Sequence, residues 1–176
     1  MRLAIYAVAL TLTFVAQTTF FHFTRGAAPW PDLALILLVY GSLRMGKIGG
    51  VKLGLAAGFA EDMLSYGVLG GNTCAMSLIG LGMGKLREDI ISDSITSRAL
   101  FTATATCVNA FIYSALSRIF TDQAAFPSIG THVLSCAAVN VLFALPVMGV
   151  MEWAEEKIMR FSDANARGKY NAPPLD

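Results

Sequence analysis

The chain has 176 residues, of which 55% are hydrophobic and 14% charged, and its net charge is +1. Soluble domains carry about 25% charged residues. Here the apolar residues also come in long runs rather than on alternating faces, so an ordinary water-soluble globule is excluded and membrane spans of about 20 residues are indicated.

The first run, Leu3 to Phe21, follows Arg2. It is longer than a signal-peptide core and lacks a clear A-x-A site, so it is expected to remain as the first span. The connector His22 to Pro31 holds Arg25, and Trp30 between two prolines, a residue suited to the membrane–water interface. Asp32 precedes the run Leu33 to Leu43 and is placed to N-cap span two. A short basic turn, Arg44-Met45-Gly46-Lys47, leads into span three, about Ile48 to Met63, interrupted by Lys52, which can snorkel to the near surface.

Within span three Gly50, Gly54 and Gly58 recur every four residues. On a helix that spacing puts them on one narrow face, where a second helix backbone, of this chain or of a partner, can approach closely in lipid, and Gly80 and Gly84 offer a like face. The span ends on Glu61 and Asp62. An acid in such a context costs about 2.5–3.5 kcal/mol on insertion scales, so it needs a partner or a task. Glu61 points about 100° away from Asp62, so the two are not a matched acid/base pair. Gly67 and Gly70-Gly71-Asn72 break the chain before span four, Thr73 to Gly84, which closes on Gly80 and Gly84. Asp32, Glu61, Asp62 and Asn72 form an expected polar corner that either anchors a loop or lines a ligand pocket. Spans two to four are short, so tilted or partly re-entrant helices are expected.

A polar loop, Lys85 to Arg98, carries Arg87, Glu88, Asp89 and Asp93. Span five is Ala99 to Leu116, and span six, after a connector containing Pro127, runs from Ile129 to about Trp153 with Pro146 as an expected kink. Asn109 and Asn140 lie mid-span as interhelical hydrogen-bonding groups, worth about 0.6 kcal/mol each. The organisation is thus a six-helix membrane domain over 1–154 and a polar tail over 155–176, expected to be disordered beyond about Phe161.

Basic residues orient the chain. With six spans and a cytoplasmic N-terminus, eleven of the thirteen Lys and Arg residues fall inside, and only Arg25 and Arg118 fall outside. This bias supports both termini being cytoplasmic.

Little in the chain carries chemistry. His22 and His132 lie far apart, with no nucleophile set around them. The stretch Gly80-Leu81-Gly82-Met83-Gly84 follows no strand, so it reads as close helix packing rather than a phosphate loop. Cys74, Cys107 and Cys136 sit in separate runs and read as buried small hydrophobes. Metal-ligand spacing is lacking, so no cofactor, no metal and no enzyme activity are expected. The sparse basic loops give no support for nucleic-acid binding.

Pro31-Asp32-Leu33, the turn Arg44-Met45-Gly46-Lys47, the segment Gly54 to Asp62, Leu69-Gly70-Gly71-Asn72 and the glycine-rich close at Gly80 resemble the rod shape-determining protein MreD family. The clear motifs cover about residues 29 to 87, and Gly71 departs from the pattern, where an apolar residue is usual. The resemblance implies a non-enzymatic inner-membrane scaffold of the bacterial cell-elongation complex. Such a subunit would bind MreC, a single-span protein, and through it RodA, its transpeptidase partner and, indirectly, MreB. It would support rod shape and lateral peptidoglycan synthesis. The family is also similar in architecture to the S-components of energy-coupling transporters, which implies an all-α bundle of six transmembrane helices, N-in and C-in. The alternative reading is a substrate-binding subunit of a small-molecule transporter, motivated by the polar corner at Asp62 and Asn72.

Overall fold

The computed structural model describes residues 2–24, 31–65, 69–89, 94–121 and 129–170. Arg25, Trp30, Gly67, Asp93, Pro127, Asn171, Pro173 and Pro174 lie outside them, as do the side chains of His22 and His132. Every element described is a helix: α1 (Arg2–Thr24), α2 (Leu33–Leu64), α3 (Gly71–Asp89), α4 (Ile95–Thr121) and α5 (Ile129–Tyr170). Among the described residues, three stretches are long and apolar enough to cross a membrane, Leu33–Leu64, Ile95–Leu116 and Val133–Arg160.

Six apolar runs become five helices because spans two and three are one element. The short turn between them shrinks to a single non-helical residue, Gly46, with φ 76° and ψ −169°. A positive φ of this kind is open to glycine at little cost. As a straight rod, the 32 residues of α2 would be about 48 Å long. Instead the chain folds back at Gly46. A Cβ on Gly50 would lie 2.7 Å from Ser42 Oγ, and one on Gly41 would strike Leu53. The two limbs, 33–45 and 47–64, are therefore antiparallel, and the 32-residue stretch is a helical hairpin rather than one long span.

The first limb is the centre of the molecule. Residues Ala34 to Ser42 are all buried, at most 4% exposed at any of the hydrophobic positions. A helix that is apolar all round must be enclosed by its neighbours. Leu35, Leu37 and Leu38 share their core with Tyr6 of α1, Met76 and Ile79 of α3, Phe101 of α4 and Met148 of α5. The outer faces are apolar as well: Leu12, Phe59, Leu100, Phe111 and Leu142 are all exposed.

Two expectations shift at the level of single residues. Cys74, Cys107 and Cys136 are free thiols, but Cys74 and Cys107 are exposed on the helix exteriors rather than buried. α5 contains Pro146 and continues as helix to Tyr170, so residues 162–170 are helical where composition predicts disorder.

Candidate functional site

The glycine stripe of α2 packs on α3. A Cβ on Gly50 would strike the Gly80 carbonyl; one on Gly54 would lie 2.7 Å from the Met76 carbonyl carbon. One on Gly58 would lie 2.6 Å from Thr73 N, and one on Gly84 would lie 2.6 Å from Lys47 N. Each step of four along α2 matches a step of four back along α3, so the two helices form an antiparallel seam with backbone against backbone. Gly82 is different: nothing lies within 4 Å of its would-be Cβ. The face formed by Gly50, Gly54 and Gly58 is thus filled by α3 of the same chain.

The polar corner resolves into two separate clusters. Asp62, 4% exposed, reaches across the break to the start of α3. Its Oδ2 accepts from Gly70 N (3.0 Å), Thr73 N (3.0 Å) and Thr73 Oγ1 (2.6 Å), and its Oδ1 from Asn72 N (3.0 Å). The first N–H groups of a helix have no partner within it, and a carboxylate there also meets the positive end of the helix dipole. Asp62 therefore caps α3 from another helix, and Asn72 enters the cluster through its backbone.

Asp32 caps the first limb of α2 by accepting from Leu35 N at 2.9 Å. Its carboxyl lies within hydrogen-bonding reach of Glu61 and of Gln17 in α1. Asp32 N donates to Asn140 Oδ1 (2.7 Å), and Asn140 Nδ2 donates to Thr106 Oγ1 (2.9 Å). One short polar chain thus joins α1, both limbs of α2, α4 and α5. Asn140 bridges helices as its position predicts, while the Oδ1 of Asn109 is buried with no hydrogen-bond partner among the described residues.

Sequence reasoning missed a third cluster, at the opposite end. Glu155, 7% exposed, accepts from Tyr6 Oη (2.6 Å) and Tyr40 Oη (3.1 Å). Glu152 accepts from Arg98 Nη2 (2.6 Å) and Arg44 Nη2 (3.0 Å), and the Arg44 guanidinium sits 5.5 Å from the Tyr40 ring centroid. Residues from α1, α2, α4 and α5 meet here. The available signal was spacing: Met148, Met151, Glu152 and Glu155 repeat at three and four residues, which puts both acids on the buried face of α5.

A family model described as rod shape-determining protein MreD matches residues 1–154. The chain belongs to the MreD family. No curated protein and no solved structure matches it. Membership brings a role in rod shape determination and a membrane location, which the long apolar helices support. The match ends at residue 154, whereas Glu155, the next residue, is buried among the helices of the family domain.

Proposed function

We propose that this MreD-family chain is a non-enzymatic scaffold of the bacterial cell-elongation complex in the inner membrane. On this reading it crosses the bilayer six times with both termini cytoplasmic, in an arrangement like that of S-components. It holds an MreC-like single-span protein and, through it, RodA, its transpeptidase partner and MreB. The observation that carries the reading is cross-bracing. Polar clusters at both ends of the bundle tie its helices together, and such a body presents fixed apolar faces outward. Charge placement supports the orientation, since Arg44, Lys47, Arg87 and Arg98 gather at the end that holds Glu152 and Glu155. The transport alternative leans on Asp62 as a ligand group, but that carboxylate already accepts four hydrogen bonds from the chain itself.

Photo-crosslinking residues placed in turn at the exposed positions Phe59, Phe111 and Leu142 test the reading in cells. A protein adduct to an MreC-like partner is expected from one face and not from the others. Adducts to lipid alone at all three would overturn it.

A further inference from the structure

Beside the bend of α2 lies an open cavity of about 400 Å³, lined among the described residues by Met45, Gly46, Lys47, Ile48 and Arg87. That size falls in the range of small-ligand sites, about 300–1,000 Å³. Its two polar side chains are both cations, from different helices. Arg87 is aimed by a hydrogen bond from Nη1 to the Arg44 carbonyl at 2.5 Å. A guanidinium carries five N–H donors in a planar fork suited to phosphate, so this one bond orients the group without exhausting it. Beside the cations stands Ile48, 75% exposed. The cavity therefore pairs a cationic end with an apolar lip, at the end of the bundle richest in basic residues.

We propose that this cavity holds a phosphate group carried on an apolar chain, the headgroup of an anionic phospholipid. Lys47 and Arg87 take the phosphate, and Ile48 and Met45 take the first carbons beyond it. Basic pockets between membrane helices on the cytoplasmic side suit such headgroups. The site is independent of which protein partner the scaffold holds.

Native mass spectrometry of the full chain in mild detergent, titrated with phosphatidylglycerol, tests this. Phosphatidylcholine and inorganic phosphate serve as the comparison arms. Wild-type protein is expected to retain phosphatidylglycerol in preference to phosphatidylcholine and not to lose it to millimolar phosphate. Lys47→Gln and Arg87→Gln should each weaken retention about fivefold, while Lys157→Gln should leave it unchanged. Arg87→Gln also removes the bond to Arg44, so Lys47→Gln carries the test if that variant unfolds. Equal retention of both lipids, displacement by inorganic phosphate, or unchanged binding in a folded Lys47→Gln protein would each overturn the proposal.

Discussion

At Gly54 a single added methyl group would decide whether α2 and α3 can touch. Its Cβ would lie 2.7 Å from the Met76 carbonyl carbon and 2.9 Å from Ser77 Cα. Both are backbone atoms, so no rotamer change relieves the clash, and the helices must separate. Gly54→Ala is expected to destabilise the protein by about 1–3 kcal/mol, read as a lower thermal midpoint in detergent. Gly82→Ala, facing open space, should melt as wild type or slightly higher. Equal midpoints for both variants would mean that the seam is not closely packed. At Asp62, replacement by Ala removes the acceptor for four hydrogen bonds at the start of α3. The cost should be on the order of 2 kcal/mol. Amide hydrogen exchange should rise first at Asn72 and Thr73, and unchanged protection there would rule out the capping role.

Among the helices, α2 and α5 separate what sequence makes legible from what it does not. The glycine spacing of α2 announces a close helix contact, and its partner, α3, follows directly in the chain with glycines at the same interval. Local periodicity is enough for such a pair. The isolated acids of α5 are harder to read, because Glu155 finds Tyr6 across 149 residues and Tyr40 across 115. No local pattern records a contact of that range, and the charges that follow Ala154 look like the start of a solvated tail. The position of Gly46 is legible as a turn, but the tightness of the reversal depends on its positive φ. The Glu155 cluster yields a prediction at this scale. Glu155→Ala strips both tyrosine hydroxyls of their acceptor and should cost about 1–3 kcal/mol. In that background Tyr6→Phe should add almost nothing, although alone it should cost about 1 kcal/mol. Additive losses in thermal melts would show that the two groups do not act as a unit.

The whole molecule is a bundle built around one enclosed helix, with its glycine seam turned inward and its apolar exterior turned outward. A partner helix would therefore meet side chains such as Phe59 or Phe111 rather than Gly54. It follows that loss of a complex in Gly54→Leu would report a broken α2–α3 seam rather than a lost docking face. The scaffold is best tested on the intact seam, by co-expressing the wild-type chain with an MreC-like single-span protein and measuring co-elution from size exclusion in mild detergent. A single peak containing both proteins, retained in Gly82→Ala, is the predicted result. Two separate peaks, with both proteins helical by circular dichroism, would contradict the scaffold account.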